Sequence, residues 1–297
     1  MTAAGARAQS QPMTTVSPMT APVQQARDPL AGLLGRGRTP LVMGILNVTP
    51  DSFSDGGRFF DPAIAIAHAR AMIDEGADIL DVGAESTRPY GGNKGVGAGE
   101  EMARLKPVLP EIVKLGVPVS IDTIKADIAA WALDNGAAIV NDVWGLQRDE
   151  HMAPLIARRG VPVIVMHNRD KADPAIDIVA DVIAFFARSL EIAAQAGIAR
   201  DKIVLDPGIG FGKTPEQSIL CLGRLIEFKR FGLPLLVGAS RKRFIASISP
   251  SEPDDRIGGS IATHLIAARD GAAILRVHDV RAMVQALRVS QAIEKAR

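Results

Sequence analysis

Eight short aliphatic runs punctuate the chain, at residues 41–46, 79–82, 118–121, 138–140, 162–166, 203–205, 234–237 and 273–277. Each is continuous rather than alternating, as expected of strands buried on both faces of a parallel sheet. Between them lie longer segments whose apolar residues recur at helical spacing and which often end in Gly: DPAIAIAHARAMIDEGA (61–77), EEMARLKPVLPEIVKLG (100–116) and IVADVIAFFARSLEIAAQAG (178–197). These read as crossover helices. Strict alternation of β and α elements demands parallel strands joined by right-handed crossovers. Eight such units over about 260 residues match the usual length of a (β/α)8 TIM barrel, which is the α/β fold this pattern predicts. A doubly wound open sheet is the alternative, but its first βα turn should carry GxGxxG, and GILNVTPDSFSDGG at 44–57 does not.

The 297 residues are 47 % hydrophobic, enough for a sizeable core. The first stretch differs, being rich in Ala, Thr, Gln, Ser and Pro. Such a composition cannot offset the entropy of ordering, which predicts a disordered N-terminal tail over 1–37 and one folded domain over 38–297. Lys and Arg number 34 against 33 Asp and Glu, leaving +1, so no global field draws the chain to nucleic acid or to an anionic membrane. No apolar run approaches the roughly 18 residues that span a bilayer, and the start lacks the apolar centre of a secretory signal. A single cysteine, Cys221, excludes an internal disulfide framework and fits a reducing cytoplasm. It follows the helical stretch PEQSIL and is expected in the core.

In a barrel of this kind the chemistry gathers where strands end, because all eight βα loops converge on one face. The residues just after the runs are Asn47, Asp81 with Glu85 to Pro89, Asp122, Asn141 with Asp142, Met166 to Asn168, Asp206, Ser240 to Lys242, and Arg276 with His278. Acids, amides and cations fill almost every strand end. Taken singly, each has a plain alternative. An Asp before Pro-Gly, as at Asp206, often caps a turn, and the glycines of LDPGIGFGK serve tight turning as readily as a phosphate, since the spacing is not that of a P-loop. Lys213 suits either a pocket or a solvated surface. Arg276 and His278 leave the last strand on the same side, about 6 to 7 Å apart, and can grip a diphosphate. The alternative is a salt bridge from Arg276 to a neighbouring acid, with His278 capping the next helix. The amide oxygen of Asn47 is a hard ligand suited to Mg2+, though Asn-Val-Thr-Pro is also an ordinary loop start. His151, His167 and His278 are too dispersed to argue a zinc site. The loops over 47–60 and 84–100 are long and glycine-containing, as segments that close over a substrate tend to be.

Seven stretches in order, NVTPDSFSDGG (47–57), LDVGAESTRP (80–89), SIDT (120–123), NDVWG (141–145), LDPGIGFGK (205–213), ASRKRFI (239–245) and RVHDV (276–280), resemble the dihydropteroate synthase family. The resemblance runs from about residue 39 to the end of the chain. It implies a cytoplasmic transferase of folate biosynthesis, and a sulfonamide target, that condenses 6-hydroxymethyl-7,8-dihydropterin diphosphate with p-aminobenzoate, releasing pyrophosphate. A pterin's pyrimidinone edge sets N–H donors beside carbonyl and ring-nitrogen acceptors, so its site needs carboxylate, amide and cation together. The resemblance assigns this edge to Asp122, Asn141, Asp206 and Lys242, with Asp206 taking the amino and ring N–H groups and Lys242 facing the acceptors. It assigns the diphosphate to Asn47, Thr87, Arg88, Arg276 and His278, with Asn47 also binding Mg2+. It assigns p-aminobenzoate to Ser86, Thr87, Pro89, Phe211 and Ser240. Catalysis would then rest on Asp122, Lys242, Arg276 and His278, and the subunits would pair as a homodimer through helices away from the loops.

Two stretches depart from the family pattern. Tyr90-Gly91-Gly92-Asn93-Lys94 stands where Gly commonly follows the Pro, and MHNR at 166–169 differs from the Met-His-Met type. Because a neutral arylamine is a modest nucleophile, the chemistry implied depends on departure of pyrophosphate, with a carbocation-like centre stabilised by the electron-rich pterin. A pterin-binding methyltransferase acting with a corrinoid partner is the competing enzyme class, but a methyl donor needs no diphosphate grip such as STRP, SRK and RVH suggest. A folate-binding homologue without activity is the non-enzymatic alternative.

Overall fold

The computed structural model describes residues 1–2, 29–35, 40–49, 61–85 and 96–297. Eight strands, β1 (Leu41–Asn47), β2 (Ile79–Gly83), β3 (Val119–Asp122), β4 (Ile139–Asp142), β5 (Val163–Met166), β6 (Ile203–Asp206), β7 (Leu236–Val237) and β8 (Ile274–Val277), form one parallel sheet. The hydrogen-bonded order is β6-β5-β4-β3-β2-β1-β8-β7. A parallel bridge from Leu205 to Leu235 brings β6 against β7 and closes the cylinder. Each of the eight aliphatic runs thus becomes a strand of a (β/α)8 barrel. Prolines mark the entry to three of them: Pro118, Pro162 and Pro234 offer carbonyls to the amides of Leu80, Val140 and Leu205 at 3.0 to 3.1 Å. A proline at the first position of a strand gives its acceptor to the ladder where its missing N–H is least needed.

Helices cover the outside, and their termini follow local chemistry. The longest, Ile178–Ala196, starts at Asp177, whose carboxylate accepts from the amides of Val179 and Ala180, and stops at the left-handed Gly197. The helical pattern over 100–116 is broken into Ala98–Leu105 and Leu109–Val113, because Pro107 and Pro110 cannot donate to an uninterrupted ladder.

The tail predicted over 1–37 lies mostly outside the described residues, and its described end is a correction. Residues Pro29–Leu34 form a helix. Leu30 is 3 % exposed and packs with Leu41, Met43, Ile79, Ile139, Ile164, Val204, Leu236 and Ile274. Three leucines within five residues supply the apolar surface that the average composition of the segment conceals.

That cluster is the lower interior of the barrel, and its strand positions locate the site. Side chains two residues apart on a strand share a face, and register pairs Ile79 and Asp81 with Met43 and Ile45, Asp81 with Ser120, and Asp122 with Asn141. One step up the interior the residue type changes abruptly: Ile79 gives way to Asp81, Ile139 to Asn141, Val204 to Asp206 and Ile274 to Arg276. The barrel therefore carries an aliphatic floor under a polar layer at the carboxyl ends of the strands.

Candidate active site

Arg276 is the centre of the polar layer. Its Nε donates to Asp81 Oδ2 at 2.6 Å and its Nη2 to Asp122 Oδ2 at 2.8 Å. Asn141 Nδ2 donates to the same Asp81 oxygen at 3.0 Å. Burial opposes the guanidinium's charge, but the two carboxylates outweigh it and hold its pKa above the ordinary value. Burial, with Asp81 nearby, pushes the Asp122 carboxyl up to about 7. One oxygen of each aspartate, Oδ1 of Asp81 and Oδ1 of Asp122, is buried with no hydrogen-bond partner. Such orphaned acceptors suit a ligand that brings N–H groups.

Asp206 ends β6 and is 4 % exposed. One carboxylate oxygen accepts from the Gly208 amide at 2.7 Å, and burial raises its pKa to about 6. Lys242 faces it from the start of the helix Arg243–Ile248, with its Nζ 3.8 Å from the centre of the Phe211 ring. Burial, helped by Arg276, lowers this lysine to about 7. Asn141, Met166, Asp206, Phe211, Lys242 and Arg276 line one cavity. The preceding residue, Arg241, takes the left-handed conformation with φ of 59°, a costly state for a side chain with a Cβ. It is held there by Ser260 Oγ on its amide, Arg256 on its carbonyl and Asp279, whose two oxygens meet its guanidinium at 3.0 and 2.6 Å. The turn lets Ser240 and Lys242 both face the strand ends while Arg241 points away.

Ser240 is buried beside His278. Its Oγ lies 3.0 Å from His278 Nδ1 and accepts from the His278 amide at 3.2 Å. Burial, then the cations Arg276, Arg241 and Lys242, press His278 down to about 3. It is a neutral imidazole near neutral pH. The two residues expected to grip an anion together are thus engaged separately, Arg276 by aspartates and His278 by Ser240. The salt-bridge alternative for Arg276 is realised, with two acids rather than one.

Asn47 ends β1, half-buried. No group of three or more His, Cys, Asp or Glu side chains arranged to hold a metal occurs among the described residues. Among the described residues the donor expected for Mg2+ is the Asn47 amide oxygen, a hard ligand of the kind that shares such an ion with substrate oxygens and water. Ser86, Thr87, Arg88 and Pro89, with Tyr90 to Lys94 and most of the 47–60 loop, lie outside the described residues.

Two residues hold more than their sequence context shows. Asp81 organises Arg276 and Asn141 and was recognisable only as a polar strand end. Lys213, for which a solvated surface was one expectation, is 2 % exposed. Its Nζ donates to His167 Nδ1 at 2.6 Å, to the Gly208 carbonyl at 2.9 Å and to the Phe211 carbonyl at 3.1 Å. A groove of about 1050 Å3 beside Lys125, Arg148 and Arg188 lies apart from these strand-end groups. Two of its cations are already paired, Lys125 to Glu85 and Glu101 and Arg148 to Asp170.

Comparison with known proteins agrees with this geometry. The sequence pattern of the family described as pterin binding enzyme matches residues 43–278. The dihydropteroate synthase of Bacillus subtilis (strain 168) is 44 % identical over 254 residues, which span 85 % of this chain and 88 % of the relative. Two solved structures superpose closely. The dihydropteroate synthase of Clostridium difficile, crystallised in the presence of pteroic acid, has a TM-score of 0.82 at 49 % identity, covering 86 % of this chain and 97 % of its own. That of Xanthomonas albilineans with 4-aminobenzoic acid also has a TM-score of 0.82, at 43 % identity, covering 86 % and 93 %. With a family pattern matched over residues 43–278, a shared barrel and identity sustained over nearly the whole of each relative, the chain belongs to the pterin-binding enzymes and, among them, to the dihydropteroate synthase family.

Proposed function

We infer that the chain condenses 6-hydroxymethyl-7,8-dihydropterin diphosphate with p-aminobenzoate, giving 7,8-dihydropteroate and pyrophosphate. The observation that carries this reading is the convergence of Asp122, Asn141, Asp206, Lys242 and Arg276 above an aliphatic floor, in a chain of this family. Asp206 accepts the N–H donors of the pterin edge, Lys242 donates to its acceptors, and Asn141 and Asp122 complete the set. The Asp122 carboxylate, next to Arg276, balances positive charge as it develops on the ring. Phe211 offers its ring to the arylamine, and Ser240 lies beside the route to the strand ends. Arg276 and His278 take the leaving diphosphate, a role the resemblance also gives to Thr87 and Arg88, which lie outside the described residues. Asn47 would hold Mg2+, which when bound would supply charge neutralisation for that leaving group. Release of pyrophosphate from the dihydropterin diphosphate should require both p-aminobenzoate and Mg2+, and Asn47→Ala should raise the Mg2+ concentration needed while leaving affinity for a pterin without diphosphate nearly intact. Pyrophosphate release that ignores p-aminobenzoate would defeat the transferase reading, and equal losses for both ligands would remove Asn47 from the metal site.

We further propose a homodimer in the cytoplasm. Ile219 and Leu220 on the helix Pro215–Gly223, Ile226, Ile248, and Ile257 and Ile266 on the helix Ile257–Arg269 are large apolar side chains exposed in succession on the outer layer. Exposed apolar surface of this kind is what a self-complementary contact would bury, and it supports the dimer reading. Sedimentation should find a dimer, and Ile219→Glu should shift it toward monomer. A monomeric wild type would end this reading. Among the described residues no helix is long and apolar enough to cross a membrane, and the buried thiol of Cys221, pushed up to about 11 by burial, suits a reducing compartment.

A further inference from the structure

A buried polar chain outside the substrate groups runs beneath the glycine-rich loop. Lys213 has three N–H donors and three acceptors in reach: His167 Nδ1, the Gly208 carbonyl and the Phe211 carbonyl. Since Nδ1 accepts, the other imidazole nitrogen carries the proton, and Nε2–H donates to Asp181 Oδ2 at 2.9 Å. Arg169 Nη1 meets the same oxygen, also at 2.9 Å. Burial and Lys213 press the His167 pKa down to about 4, in keeping with a neutral ring. The loop cannot relax away from this support. Gly208 has φ of +65°, and a Cβ there would sit 1.9 Å from the His167 carbonyl oxygen. A Cβ on Gly212 would sit 2.5 Å from that of Arg169. Residues 208–212 therefore lie flat against the segment that follows β5, with one ammonium pinning two of their carbonyls. This segment presents Ile209 and Phe211 to the cavity, and Lys242 rests on the Phe211 ring.

We propose that Lys213, backed by His167 and Asp181, is a positioning residue that sets the Phe211 ring at the height the p-aminobenzoate subsite needs. This rests on Phe211 being the face met by the arylamine. The pterin edge is held chiefly from the strands, by Asp122, Asn141 and Asp206, so the brace acts on one substrate more than on the other. It is also titratable. Around Lys213 stand His167 and Arg169 after β5, Asp181 on the helix Ile178–Ala196, Asp206 at the end of β6 and Cys221 on the helix Pro215–Gly223, with Lys242 across the loop. Burial lowers Lys213 to about 8. Loss of its proton leaves two N–H donors for three acceptors.

The test separates the two substrates. Lys213→Met keeps the volume and removes all three bonds. It should raise KM for p-aminobenzoate about tenfold or more while changing pterin affinity by less than about threefold. Asp181→Asn, at a half-buried position, should show the same split in weaker form and guards against a methionine variant that fails to fold. In the wild type, KM for p-aminobenzoate should rise above pH about 8, a limb that Lys213→Met abolishes. Equal losses for both substrates, or an unchanged KM for p-aminobenzoate in the folded variants, would overturn the proposal. If the wild type released no pyrophosphate, the functional reading itself would have failed, an outcome distinct from either.

Discussion

Asp81→Ala is expected to cost about 3 to 5 kcal/mol of folding stability, the range for breaking a buried ion pair from one side. Asp81 is fully buried, and its Oδ2 receives both Arg276 Nε and Asn141 Nδ2. Without it the guanidinium keeps only Asp122, the Asn141 amide loses its acceptor, and the cavity left behind is lined by groups that water cannot readily reach. Urea unfolding should report the loss as a lower midpoint at unchanged slope. Asp81→Asn should be milder and carries a second signature. Asp81 is a main contributor, after burial, to the raised pKa of Asp122, so the neutral amide should bring Asp122 down from about 7. A stability within about 1 kcal/mol of wild type for Asp81→Ala would show that Arg276 is held chiefly by Asp122.

The second large effect is on recognition. Asp206→Asn keeps the size of the side chain and exchanges an acceptor for a donor against the pterin's N–H edge. The loss should be about 1.5 to 3 kcal/mol, or roughly 10- to 150-fold in dissociation constant. The wild type should show why through pH. Asp206 must be ionised to accept two N–H groups, and burial raises it to about 6, so pterin affinity should climb as pH rises through that value. Lys242 must be charged to donate, and at about 7 it should impose a decline on the alkaline side. The part of the acid limb centred near 6 should vanish in Asp206→Asn while the contribution of Asp122 near 7 and the alkaline limb stay. Stability follows the opposite sign. The folded pKa values of Asp206 and Asp122 lie above the unfolded value of about 3.9, so their contribution is present below that value and lost as pH rises through about 6 and 7. A pterin that satisfies the ionised carboxylates offsets this loss, and its shift of Tm should therefore be larger at neutral pH than in mild acid. Calorimetry finding a flat pH profile would remove Asp206 as the partner of the N–H edge.

The barrel was legible because its strands are buried on both faces, which writes them as uninterrupted aliphatic runs that no helix of this composition imitates. The polar strand ends were legible for the same reason, as hydrophilic residues near the end of a run or just after it. Their partnerships were not. Arg276 and His278 leave β8 on one side, but only the closed cylinder brings Asp81 and Asp122 under the guanidinium and Ser240 beside the imidazole. The signal for Asp81 was present as period-two spacing from Ile79, the same step that joins Ile139 to Asn141 and Val204 to Asp206. Lys213 gave no such signal. Its burial depends on His167, 46 residues away, and a lysine after a glycine run looks locally like a surface residue. The helix at Pro29–Leu34 was hidden by averaging three leucines into a polar segment.

The aliphatic floor capped by Leu30 gives the barrel a single mouth. Water, protons and every reactant must come and go past the loop ends, since the opposite end is plugged by Leu41, Met43, Ile274 and their neighbours. Occupancy then obeys the rule of a stack. On the proposed function, a ring seated against Asn141, Asp206 and Arg276 would have to arrive before anything lodged nearer the opening, and once joined to the arylamine would depart last, after pyrophosphate had cleared the exit. A spent bicyclic ring lingering at the bottom would block the next cycle even with the upper positions vacant.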